Sequence, residues 1–229
     1  MRVLVLGASG FIGLPIAQAF VRAGHIVYGL TRSQQKAKQL AAEEIIPVIG
    51  ETSNPSAWLT MVATLDVIID AAAQKYRPAH APKLTYIYTS GTWVHGENRK
   101  DIQEQRVIRN PVLNGIVIRP ALLYGRSGSL LAPLYALIHC DDLAEMYLLA
   151  SEKSAIAAGQ IFDAANDFTE NADDVLHKLL EVSGAKGPFE YIEPSNCESV
   201  RTVLLYEIAL STTSLLRPYL ARSLLGWQP

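Results

Sequence analysis

The residues of this chain best placed to do chemistry are three glycines near its start. Gly7, Gly10 and Gly13 stand in the string Gly7-Ala8-Ser9-Gly10-Phe11-Ile12-Gly13. The apolar run Val3-Leu4-Val5-Leu6 precedes it, and the apolar-periodic stretch Pro15 to Val21 follows. That order predicts a strand, a tight turn and a helix. Gly7 suits a turn residue at positive φ. Gly10, without a Cβ, lets the backbone approach a diphosphate, and Gly13 lets the helix pack close to the strand. The diphosphate would rest on unpaired amides at the helix N-terminus, where the macrodipole favours negative charge. Gly7, Ser9, Gly10, Phe11, Ile12 and Gly13 are therefore the expected cofactor-binding residues. A phosphate loop of the G-x-x-x-x-G-K-[ST] kind is excluded, because no Gly-Lys-Ser or Gly-Lys-Thr string occurs.

A second strand ends in Gly29-Leu30-Thr31-Arg32-Ser33. An acidic residue at that tip would bond an adenosine ribose and favour NAD, whereas an arginine accommodates a 2′-phosphate. The Arg32 guanidinium can pair bidentately with phosphate and stack its plane on adenine. Thr31 and Arg32 join the cofactor-binding set, and NADP is expected, with NAD still possible.

These residues need a scaffold, and the chain supplies alternating strand and helix patterns, which imply βαβ units and a parallel sheet. Continuous apolar runs, the mark of buried parallel strands, fall at 2–6, 25–30, 45–49, 66–69, 84–88, 115–118 and 160–162. Helical patterns fall at 12–23, 34–42, 56–63, 141–152 and 173–182. The fold class expected from these patterns is α/β, built on a parallel sheet.

Composition sets the outer bounds. The chain has 229 residues, 49% apolar and 18% charged, with a formal net charge of −2. That charge argues against nucleic acid or an anionic membrane as the main partner. Cys140 and Cys197 match no metal or redox spacing and read as free thiols in a reducing compartment. Asp66 and Asp70 interrupt the apolar stretch 59–73, so it does not read as a membrane span. Met1-Arg2 runs straight into the first strand, leaving no room for a signal peptide, so the expected location is the cytoplasm.

Four further strings, taken in order, carry a family resemblance. Val67-Ile68-Ile69-Asp70-Ala71-Ala72 resembles the fourth strand of extended short-chain dehydrogenases/reductases of the epimerase/dehydratase kind. Tyr88-Thr89-Ser90-Gly91-Thr92-Trp93-Val94-His95-Gly96 resembles their fifth strand and its hydroxyl-bearing loop. Arg119-Pro120-Ala121-Leu122-Leu123-Tyr124-Gly125 is similar to the string after their sixth strand, and Ile138-His139-Cys140-Asp141-Asp142-Leu143-Ala144 to their His-Val-Asp-Asp-Leu-Ala segment. The closing Leu224-Leu225-Gly226-Trp227-Gln228-Pro229 is like the end of their substrate domain. The resemblance implies an α/β fold of Rossmann type, a doubly wound parallel sheet with a small C-terminal substrate lobe. Residues 1–166 would form the dinucleotide-binding domain, including part of the interleaved lobe, and 167–229 the C-terminal lobe. It also implies hydride transfer at a carbonyl or secondary alcohol of a small-molecule substrate. It places Ala71, Ala72 and Pro120 beside the nicotinamide and makes a homodimer possible.

The same resemblance implies a tyrosine as general acid/base with a lysine four residues on, and a serine or threonine that orients the substrate oxygen. A phenol normally titrates near ~10, and the lysine charge lowers it into a useful range. No lysine of this chain has a tyrosine four residues before it. Gly91 stands where the family's hydroxyl usually lies, and Ser90 and Thr92 flank it as the candidate catalytic residues. His139 reads as a partly buried structural histidine, and Asp141 and Asp142 as a helix N-cap and first-turn charges. The intervals 70–83 and 97–110 are short, and the second is mostly polar, although the family carries its catalytic helix there. Two explanations stay open: segments of the protein are missing from this sequence, or the protein is naturally shortened. In the second case the alternative to an enzyme is a dinucleotide-binding regulator or redox sensor without the Tyr-Lys pair.

Overall fold

A computed structural model describes residues 1–71, 83–92, 102–125, 137–167, 172–184, 186–188 and 216–229. In chain order they form β1 (Arg2–Leu6), α1 (Gly13–Arg22), β2 (Ile26–Thr31), α2 (Gln34–Ala42), β3 (Ile46–Ile49), β4 (Val67–Asp70), β5 (Leu84–Thr89) and α3 (Ile102–Ile108). There follow β6 (Leu113–Pro120), β7 (Leu122–Tyr124), β8 (Leu137–His139), α4 (Cys140–Glu152), α5 (Ser154–Ala157), β9 (Ile161–Ala164) and α6 (Ala172–Ser183). Seven strands make one sheet in the order β3-β2-β1-β4-β5-β6-β9, every neighbouring pair parallel. β7 and β8 pair separately, also parallel. The chain winds outward from β1 to β3, then returns to place β4 on the other side of β1. That reversal opens a crevice at the carboxyl ends of β1 and β4, where open α/β sheets bind ligands.

Alternation along the strands explains the two layers. Val3 and Val5 of β1 point to one face, where they join Ile116 and Ile118 of β6, Ile16 and Phe20 of α1, Leu40 of α2 and Tyr147 of α4 in one buried cluster. Leu4 and Leu6 point to the other face and meet Leu30, Ile68 and Leu84 with Trp58, Val62 and Leu65. The apolar runs of the inner strands are thus buried on both sides, as parallel sheets require, whereas the edge strand β3 leaves Ile46 and Ile49 exposed. α3 lies directly on β6: a Cβ at Gly115 would stand 2.0 Å from the Val107 carbonyl oxygen.

Two local expectations change. Residues 56–63, read as a helix, form two 3₁₀ turns, Pro55–Ala57 and Leu59–Thr64. Trp58 separates them at φ −130. Its ring is 2% exposed, and its Nε1 donates to the Glu51 carbonyl oxygen at 3.3 Å. Burying the indole turns the backbone out of α-helical geometry. The N-cap of α4 is His139, whose Nδ1 accepts from the Asp141 amide at 3.2 Å. Asp141 and Asp142 occupy the first turn, where acidic charge suits the dipole.

The tail returns to the sheet domain. Trp227 is fully buried in the first cluster, its Nε1 donating to the Asp142 carbonyl at 2.8 Å. Lys153 Nζ donates to the Leu225 carbonyl at 2.6 Å. No helix among the described residues is long and apolar enough to cross a membrane.

Candidate functional site

The glycine turn has the geometry that a diphosphate requires. Gly7 sits at φ +78, a conformation that costs glycine little. Its carbonyl accepts from the Gly10 amide at 2.9 Å, which closes the turn. A Cβ at Gly13 would stand 2.2 Å from that same carbonyl oxygen, and one at Gly10 would stand 3.1 Å from it. Glycine at 13 therefore lets α1 start against the end of β1. Gly10 is exposed, and Phe11 and Ile12 are half-buried. Ile12, the N-cap, offers no side-chain acceptor to the first amides of α1. A helix start without a side-chain cap, with its dipole facing the crevice, favours an anion by about 0.3–1 kcal/mol. A diphosphate fits this cradle.

The tip of β2 lies beside the turn. Ser9 Oγ and Thr31 Oγ1 are 3.3 Å apart, and the Ser33 amide donates to Thr31 Oγ1 at 3.4 Å. Ser33 then caps α2, its Oγ accepting from the Lys36 amide at 3.4 Å. These bonds hold Thr31 in a buried position and fix the backbone on both sides of Arg32. Arg32 is exposed, and its guanidinium has no hydrogen bond or ion pair with any described residue. It is a positioned cation open to a ligand.

Across the switch point, β4 ends in Asp70, which is fully buried. The Tyr86 hydroxyl donates to Asp70 Oδ2 at 2.5 Å. Burial, then the charge and hydrogen bond of Asp70, push the Tyr86 phenol far above its ordinary range. One strand end further on, Thr89 Oγ1 and the Tyr147 hydroxyl are 2.6 Å apart. Burial raises the Tyr147 phenol as well, opposed by the Thr89 hydrogen bond and assisted by the Asp70 charge. Both phenols stay protonated at neutral pH. They brace the strand ends, Tyr86 through Asp70 and Tyr147 through Thr89.

The remaining expected residues lie on the same edge. Ala71 follows β4 and is half-buried. Pro120 ends β6, buried beside Ala164 of β9. Ala72 lies outside the described residues. Ser90 follows β5 with its amide donating to the Ile118 carbonyl at 2.9 Å, and Thr92 is 8% exposed. Neither hydroxyl has a hydrogen-bond partner among the described residues. The turn, the β2 tip and these strand ends lie along the carboxyl edge of one sheet.

Sequence reasoning missed a further group. Glu104 of α3 is 1% exposed and grips Arg119 at the end of β6, with Oε1 2.8 Å from Nε and Oε2 2.5 Å from Nη2. Arg119 Nη1 also lies 3.9 Å from Asp163 Oδ1 of β9. The signal was a charged residue, Arg119, inside an otherwise apolar strand, which needs a partner. His139, for its part, packs its ring edge-on to Tyr124, the centroids 5.2 Å apart, and uses Nδ1 to cap α4.

Sheet order and turn together define an α/β domain of Rossmann type. Residues 3–97 match the NAD dependent epimerase/dehydratase family. An uncharacterized protein of Schizosaccharomyces pombe is 40% identical over 72 residues, a stretch that covers 31% of this chain and 24% of that relative. The fold is similar to that of two solved epimerases. One is the UDP-glucuronic acid 4-epimerase of Bacillus cereus in complex with UDP-glucuronic acid and NAD, with a TM-score of 0.72 and 15% identity over 100% of this chain and 94% of that one. The other is the UDP-glucose 4-epimerase of Thermotoga maritima with UDP-glucose, with a TM-score of 0.70 and 16% identity over 100% and 94%.

Proposed function

We propose that this protein is an NADP-preferring oxidoreductase or epimerase that acts on a carbonyl or secondary alcohol of a small-molecule substrate. One observation carries the reading: the Gly7–Gly13 turn closes on an α1 N-terminus without a side-chain cap, while Arg32 stands exposed beside it. The turn and the amides of α1 hold the diphosphate. Ser9 and Thr31 present hydroxyls toward an adenosine ribose, and Arg32 supplies the charge for a 2′-phosphate. Ala71 and Pro120 form an apolar wall for the nicotinamide. When bound, the cofactor supplies hydride. Ser90 and Thr92 orient the substrate oxygen. The family match of residues 3–97 and the NAD-bound relative of Bacillus cereus support a dinucleotide here.

The absence of any Tyr-x-x-x-Lys pair favours a second reading, a dinucleotide-binding regulator or redox sensor. A single assay separates the two. Purified protein is mixed with NADPH and a panel of aldehydes, ketones and nucleotide sugars, and loss of NADPH fluorescence is followed beside product analysis for epimers. Turnover of any substrate establishes the enzyme. Saturable NADPH binding with no conversion across the panel establishes the regulator.

A further inference from the structure

Beyond the cofactor residues, one side chain on the carboxyl edge of the sheet has no structural employment. Asn166 lies two residues past the end of β9 and is 6% exposed, yet its amide makes no hydrogen bond to any described residue. Buried amides are ordinarily satisfied, because leaving one unpaired forfeits its bonds to water. Asp167 Oδ1 is the fully buried side-chain oxygen left without a partner among the described residues. The Asn166 amide therefore keeps its small exposure at its polar end.

Its position is fixed from both sides. Ala164 is in register with Pro120, and the Ala121 amide donates to the Ala164 carbonyl at 2.8 Å. Beyond it, the Asp167 carbonyl accepts from Arg217 Nη1 at 2.5 Å, and the Asp167 carboxylate pairs with Arg222. The tail thus pins the loop that carries Asn166. In the order β1-β4-β5-β6-β9, four strand spacings separate this point from the diphosphate turn, about 19 Å at ~4.8 Å each. The proposed nicotinamide neighbours, Ala71 and Pro120, lie in between.

We infer that Asn166 is a substrate-binding residue that presents its carboxamide to a hydroxyl or carbonyl oxygen of a polyhydroxylated substrate lying beyond the nicotinamide. The inference rests on the dinucleotide reading above. A carboxamide donates and accepts at once, which matches a sugar hydroxyl.

The test uses the full chain and two variants, Asn166→Leu, which keeps the shape, and Asn166→Ser, which keeps a smaller hydrogen-bonding group. Calorimetry measures NADPH binding, then UDP-glucose and UDP-glucuronic acid binding with NADPH present, beside the thermal midpoint. The expected result is NADPH affinity within about twofold of wild type in both variants and an unchanged midpoint. Sugar-nucleotide affinity should fall about tenfold or more in Asn166→Leu and less in Asn166→Ser, as for loss of one buried hydrogen bond. Unchanged sugar-nucleotide affinity in Asn166→Leu overturns the inference. So does a wild type that binds NADPH but neither sugar nucleotide, or a joint fall of NADPH affinity and midpoint in both variants, which marks a structural role. A wild type that fails to bind NADPH overturns instead the reading on which the inference rests.

Discussion

The Glu104 carboxylate and the Arg119 guanidinium meet fork to fork, with both of their contacts at 2.8 Å or less, and so tie α3 to the end of β6. Glu104 is closed off from water. Removing Glu104 takes both fork contacts from Arg119, which keeps Asp163 Oδ1 at 3.9 Å, so the cost should fall at the lower end of the about 3–5 kcal/mol of a broken buried pair. Glu104→Ala is expected to lower unfolding free energy by that amount in urea denaturation. The double variant Glu104→Met/Arg119→Met should lose less than the single one, since it leaves no buried charge alone. A double variant no more stable than Glu104→Ala would contradict this account of the pair.

A Cβ at position 13 would stand 2.2 Å from the Gly7 carbonyl oxygen. Gly13→Ala must push α1 away from the turn, with an overpacking cost of about 1–3 kcal/mol. The displaced amides should weaken dinucleotide binding at least about tenfold. Calorimetric titration beside a melting curve checks both, and wild-type affinity in the variant would count against the turn as the diphosphate site.

Arg32 is expected to discriminate between cofactors. A charge-assisted hydrogen bond contributes about 1.5–3 kcal/mol, so Arg32→Ala should weaken NADPH binding roughly ten- to hundredfold. NADH binding should change little. Equal losses for the two cofactors would place Arg32 elsewhere than at the 2′-phosphate.

Tyr147 gives a prediction in pH. Its phenol is held protonated in the fold, whereas the unfolded chain releases that proton near ~10. Its contribution to stability is therefore complete below ~10 and is lost as pH rises toward the higher folded value. Each such tyrosine should cost about 1.4 kcal/mol per pH unit above that point. Tyr147→Phe should be less stable than wild type at pH 7 by about 0.5–1.5 kcal/mol, for one lost hydrogen bond, and should show a shallower alkaline decline. An unchanged alkaline slope in chemical denaturation from pH 9.5 to 11 would contradict it.

Much of this architecture is readable in the residues themselves. The apolar runs gave the inner sheet strands because parallel strands buried on both faces leave nothing else to encode. The stretch 34–42 reads as a helix from its residues and is one, α2, with the same limits. The glycine turn was legible because each glycine answers a separate steric demand. α3 was not legible: its sequence Ile102-Gln103-Glu104-Gln105-Arg106-Val107-Ile108 looks solvated, since its most deeply buried residue is a charged one whose partner lies fifteen positions away on β6. Asn166 escaped for a related reason. A single amide carries no pattern, and its meaning comes from being closed in and unpaired at a strand end. The Asp70–Tyr86 and Thr89–Tyr147 bonds likewise join residues of separate elements that only the fold brings together.

The measurement that bears most directly on the central claim is a calorimetric titration of the purified protein with NADPH and, separately, NADH. Saturable binding at one site per chain, tighter for NADPH and lost in Gly13→Ala, is the result predicted. Failure of both dinucleotides to bind would contradict the reading of the Gly7–Gly13 turn on which everything else depends.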